Sequence, residues 1–170
     1  MKSLAALGVM IAAVLQAGCA SFDGRGLVPG TSTAAQVAAL MGEPAERQKR
    51  ANGDMVWYYP RLPFGRETYA VTIGPDGVMK SNRQTLTHAD ISSLRPNTTT
   101  REQVRELLGP PAFVARAARK PYEVWEYPWN WREIGDYRIL WVSFSDDGVL
   151  REIVEMHDWR VDGAGDGGRN

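Results

Sequence analysis

Two stretches of the chain repeat each other. Residues 27–44 and 94–111 align at a constant offset of 67, sharing Leu, Pro, Thr, Gln, Val, Leu, Gly and Pro at matched positions. Further on, Val56-Trp57-Tyr58-Tyr59-Pro60 matches Val124-Trp125-Glu126-Tyr127-Pro128 at an offset of 68. Asp76-Gly77-Val78 then matches Asp147-Gly148-Val149 at an offset of 71. An offset that grows only between matched blocks is what loop insertions leave in a duplicated unit. The chain therefore has to be two copies of one small module, each needing a partner surface to complete its core.

The matched blocks dictate local structure. Thr33 and Gln36, like Thr100 and Gln103, have the spacing of a capping box: a hydroxyl at the helix N-cap and an amide three residues on that reaches back. Val37, Leu40 and Met41, repeated as Val104, Leu107 and Leu108, form one apolar helical face. Gly42 and Gly109 suit the left-handed stop, with Pro44 and Pro111 behind them. Aromatic-rich strands are expected at Met55 to Tyr59 and Glu123 to Tyr127, and alternating strands at Thr68 to Ile73 and Ile139 to Phe144. Turns at Pro75-Asp76-Gly77 and Asp146-Asp147-Gly148 lead into strands over Val78 to Arg83 and Val149 to Met156. The expected fold class is α+β: two tandem units, each a short N-terminal helix packed on a three-stranded antiparallel meander.

The N-terminus reads as an export leader. Lys2 is followed by an apolar run from Leu4 to Leu15, too short for the roughly 20 residues of a membrane span and suited to a signal-peptide core. Ala17-Gly18 before Cys19 resembles a bacterial lipobox, in which the cysteine is acylated and becomes the mature N-terminus; Gln16 stands where that pattern has Leu. The alternative is a soluble periplasmic protein cleaved nearby. Cys19 is the only cysteine, so stability must come from packing rather than an intrachain disulfide. Lys and Arg total 20 and Asp and Glu total 20; losing Lys2 with the leader leaves a net charge of −1, with no general footprint for nucleic acid. The expected organisation is a signal peptide over 1–18, a tether over 19–26, repeats over 27–84 and 94–158, a linker over 85–93 and a disordered Gly/Asp-rich tail over 159–170.

The helix entry Pro29-Gly30-Thr31-Ser32-Thr33, the Gln36-Val37 and Leu40-Met41-Gly42-Glu43-Pro44 that follow, the Trp-x-Tyr of the first strand, the apolar strand and the Asp-Gly turn together resemble the BamE (SmpA/OmlA) family of outer-membrane assembly lipoproteins. The resemblance runs once per repeat over residues 27–157. It departs at Asn97, where the second entry lacks its glycine, and in the duplication itself. The two-unit layout is also similar to the β-lactamase inhibitor protein fold, without the disulfides expected there. The first resemblance implies an outer-membrane location on the periplasmic side, a lipid anchor, and a protein complex of the envelope as partner. The second implies an inhibitor-like binder of an envelope or secreted enzyme.

No catalytic constellation assembles from the sequence. His88 falls in the linker and His157 at the end of the last strand, each expected to be solvated, and no His-x-x-x-His, cysteine pair or phosphate loop is present. Asp146 and Asp147 read as a turn, and Asp54, Glu123 and Glu126 as strand-edge charges. The enzyme reading, a cryptic hydrolase, is set aside, and no cofactor, metal, nucleic acid or small-molecule substrate is expected. What the sequence offers is aromatic. Trp57 and Trp125 are expected in the core or the seam between repeats. Trp129 and Trp131 fall in the expected loop between strands, where the first repeat has Leu62 and Phe64, and Trp141 stands opposite the apolar face of its strand, where the first repeat has Ala70. Exposed indoles mark interfaces, whereas indoles of a small protein also fill cores. Trp129, Trp131, Trp141, Leu62 and Phe64 are the candidate partner-binding residues on the first count, and the three tryptophans are core or seam residues on the second.

Overall fold

The computed structural model describes residues 23–131 and 135–161. The leader, the acylation candidate Cys19 and the tail beyond 161 lie outside the described residues. Helix α1 (Ala34–Met41) is followed by strands β1 (Glu46–Lys49), β2 (Met55–Pro60), β3 (Thr68–Ile73) and β4 (Met79–Gln84). A short helix α2 (His88–Ser93) leads to α3 (Arg101–Leu108) and strands β5 (Phe113–Arg116), β6 (Glu123–Asn130), β7 (Tyr137–Phe144) and β8 (Leu150–His157). Each set of four strands is an antiparallel meander in chain order, giving two helix-plus-sheet units in tandem.

Both capping boxes form. Thr33 and Thr100 accept from the backbone N–H of Gln36 and Gln103, and each glutamine side chain accepts from the threonine N–H at 2.8 Å. The same two threonines bridge to Val78 and Val149 beyond the Asp-Gly turns, so the hairpin holds the helix start in both units. The expected three-stranded sheets have four strands each. The additional strands are β1, whose Glu46-Arg47-Gln48-Lys49 carries no apolar alternation, and β5, Phe113-Val114-Ala115-Arg116, which is too short to show a period. The linker also holds structure: Thr87 caps α2, and Leu86, Ile91 and Leu94 are buried in the second core.

Alternation divides each sheet into two faces. In the first, Tyr59, Val71, Ile73 and Met79 are buried with Val37 and Met41 of α1. In the second, Trp125, Tyr127, Trp129, Leu140, Val142 and Phe144 are buried with Val104 and Leu108 of α3. The other face of the first sheet is covered from the second unit. Arg105 of α3 meets Glu46 at 2.6 Å, Tyr58 donates to the Glu106 carbonyl at 2.7 Å, and Arg83 and Thr85 donate to the carbonyls of Leu107 and Leu108. The layers therefore run α1, first sheet, α3, second sheet.

Candidate functional site

The candidate residues separate into two groups. Trp129 is not in a loop: β6 runs on to Asn130, and the indole is fully buried in the second core. Trp131 is half-buried, its ring 5.5 Å from that of Trp129 and edge-on to His88 at 4.6 Å. Leu62, from the β2–β3 loop, packs against the same cluster. These three belong to the second core, which Leu62 reaches from the first unit. The signal was in the sequence, because Trp125, Tyr127 and Trp129 keep a period of two across Pro128. Trp141 and Phe64 do reach the surface. Trp141 lies on the second sheet's outer face, and Phe64 is 94% exposed.

The outer face is best seen one row at a time. Across the first sheet, register places Glu46, Tyr58, Ala70 and Arg83 side by side. Three of them bond to α3, and Ala70 is buried beneath it. The equivalent row of the second sheet is Phe113, Glu126, Trp141 and Val154. Among the described residues no helix covers it. Phe113 is 49% exposed and Val154 39%, and together with Ala115, Val124 and Trp141 they line a groove of about 370 Å3. Sequence reading passed over Phe113 and Val154; setting the two edge strands side by side, Glu46-Arg47-Gln48-Lys49 against Phe113-Val114-Ala115-Arg116, is the signal that finds them.

At the centre of the row, Glu126 is neutralised: the Trp141 Nε1–H and the Arg160 Nη1–H donate to its two oxygens, each at 2.8 Å. Arg160 also meets Asp158, which is fully buried and held at 2.5 Å by Arg66 from the first unit. Burial alone would raise the Asp158 carboxyl, but hydrogen bonds from Arg160 and Arg66 outweigh it and hold the group at about 2. This clasp brings the β2–β3 loop against the groove. Phe64, Pro63 and Val161 line a second hollow of about 400 Å3 that shares Phe113 with the first. Among the described residues, no cluster of three or more His, Cys, Asp or Glu could hold a metal ion. Nor is any helix among them long and apolar enough to cross a membrane. The arrangement can bury apolar side chains beside the paired charges of Glu126, Arg160, Asp158 and Arg66.

Residues 84–153 match the family model of the outer membrane protein assembly factor BamE domain. The match spans α2 and most of the second unit, less than half of the chain; the resemblance read on both repeats is matched there on the second alone. No curated protein matches the sequence. Among solved structures, a DUF4309 family protein (YjgB) from Bacillus subtilis is 20% identical, over 79% of this chain and 84% of that one, with a TM-score of 0.31. A putative β-lactamase inhibitor protein from Streptococcus mutans is 13% identical, over 74% and 82%, with a TM-score of 0.32. At these scores neither likeness supports a statement about this chain.

Proposed function

We propose that this chain is a lipid-anchored protein-binding module of the bacterial envelope, an accessory to outer-membrane protein assembly, built from tandem BamE-like units over 27–84 and 94–158. It is non-enzymatic: no catalytic motif is present, and the family matched over 84–153 is an assembly-factor domain. The observation that carries the docking role is the uncovered row of Phe113, Trp141 and Val154, which lies on the unit where the family match falls. Exposed apolar rows of this kind on a well-packed sheet serve as contact surfaces. Trp141 and Phe64 are the contact residues of this reading, with Phe113 between them, and Trp129, Trp131 and Leu62 support them from the second core.

Capture from detergent-solubilised envelopes tests it. The full chain should recover an outer-membrane protein complex, and Trp141→Asp, or Val154→Asp if the first lowers the melting temperature, should lose it. Recovery of a hydrolase instead would favour the inhibitor-like alternative, and equal recovery by the variant would remove the groove from the account. The anchor has its own test. The intact mass of membrane-extracted protein is expected to begin at Cys19 and to include acyl chains. A lipid-free chain beginning near Ala20 would end the lipoprotein reading.

A further inference from the structure

The internal interface shows what kind of element sits on such a row. The first sheet receives α3 through charges and backbone acceptors: Arg105 on Glu46, Glu106 on Arg50 at 2.5 Å, and the Tyr58 hydroxyl on the Glu106 carbonyl. Moving one repeat along, each side of that contact changes character. On the sheet side, Glu46 becomes Phe113 and Arg50 becomes Ala117. On the helix side, the counterpart of α3 is α1, where Arg105 becomes Ala38 and Glu106 becomes Ala39. The charged pairs have been replaced on both partners at once, and by shapes that fit: small alanines on the helix, and Phe113 and Trp141 on the sheet. Leu107 keeps its counterpart in Leu40.

Two of the alanines on this helix, Ala35 and Ala39, are exposed on the side of α1 turned away from its own sheet, and Ala38, half-buried, lies at the border of that side. A solvated helix face normally carries charge. The other face of α1, Val37 and Met41, is already buried in the first core. Arg160 caps Glu126, so the row does not present a bare carboxylate to an incoming helix.

From this double replacement we infer that the groove's occupant is α1 of a second copy of this chain, docked as α3 docks on the first sheet. The inference rests on reading the groove as a docking face and names its partner. The contact joins two different surfaces, so it is heterologous: each copy offers one free helix and one free sheet, and association extends head to tail. A shared membrane anchor would raise the effective concentration of copies at one surface.

Two substitutions decide it, because each blocks one half of a heterologous contact. Ala39→Glu blocks the helix and leaves the groove; Trp141→Asp blocks the groove and leaves the helix. Protein mass is read by light scattering on the full chain in detergent, with the detergent contribution subtracted. Wild type should give masses above the monomer that grow with concentration. Each variant alone should lose at least about tenfold in self-association. Mixed one to one, they should form a dimer that grows no further. If Trp141→Asp lowers the melting temperature, Val154→Asp replaces it in the same scheme. A wild type that stays monomeric overturns the inference, as does an associating wild type whose mixed variants fail to pair. A monomeric wild type with envelope capture still lost in Trp141→Asp sinks the self-contact and leaves the docking face standing. If capture is also unaffected, both readings fall together.

Discussion

At Asp158 two arginines from different parts of the chain converge on one buried carboxylate, and the sign of its titration is fixed by that geometry. Arg66, itself buried and at a positive φ of 54°, reaches it from the first unit; Arg160 reaches it from two residues away. The folded carboxyl titrates at about 2, below its ordinary value of 3.8. A depressed carboxylate contributes stability that is fully present above its unfolded pKa and is lost as pH falls through the folded one. A displacement of this size is worth on the order of 2–3 kcal/mol. Asp158→Asn should therefore cost roughly that amount at neutral pH, or more, since Arg66 is left with a buried unpaired charge. Denaturant titrations at several pH values should show the two proteins converging as pH falls from about 4 to 2. A constant gap across that range would mean that the clasp is not what the carboxylate contributes.

Between the two helix-stop glycines, equal in sequence and in conformation, the surroundings differ. Gly42 and Gly109 both have φ near +83° and both end a helix, so a Cβ is strained at either. At Gly42 a Cβ would meet nothing within 4 Å, whereas at Gly109 it would lie 2.8 Å from the Tyr58 ring and 3.0 Å from Thr68. Gly109 is where the second unit closes on the first sheet. Gly109→Ala should accordingly cost about 1–3 kcal/mol more than Gly42→Ala in chemical denaturation, the overpacking term being added to a common backbone term. Equal costs would put the closeness of the two units in doubt. Such contrasts mark what the sequence could and could not carry. The caps, the glycine stops, the Asp-Gly turns and the apolar faces of Val37 and Val104 were legible, because each is set by residues close in the chain. Strands β1 and β5 were not, since neither four-residue segment has a period. The burial of Trp129 was half legible: its alternation with Trp125 and Tyr127 was visible, but the length of β6 depends on its pairing with β7. The groove was not legible from its own residues, because Phe113 and Val154 are unremarkable until the first sheet shows what covers their counterparts.

At the scale of the whole molecule, the contact of α3 with the first sheet is a main junction between the units, and its chemistry is a choice rather than a requirement of the fold. The contact between α3 and the first sheet uses Arg105 with Glu46, and the bond draws both groups further into their charged forms. Burial would raise the Glu46 carboxyl but the Arg105 hydrogen bond brings it below its ordinary range, while the same bond raises Arg105. If the pair α1 and second sheet is the apolar version of this contact, the internal interface should accept the apolar version too. Glu46→Phe alone strands Arg105, and Arg105→Ala alone strands Glu46; made together, they reproduce Phe113 facing Ala38. The double variant should recover part of what the singles lose, with a coupling of about 0.5–1 kcal/mol in a double-mutant cycle read by urea unfolding. Additive losses would show that the helix and sheet surfaces do not meet at these positions in the way the register implies. Because both groups are partly exposed, the single costs should be modest, so the coupling rather than either loss is the quantity that decides. A positive coupling would show that one backbone arrangement supports both chemistries, which is the condition for one copy's helix to take the place of α3 on the next copy's sheet.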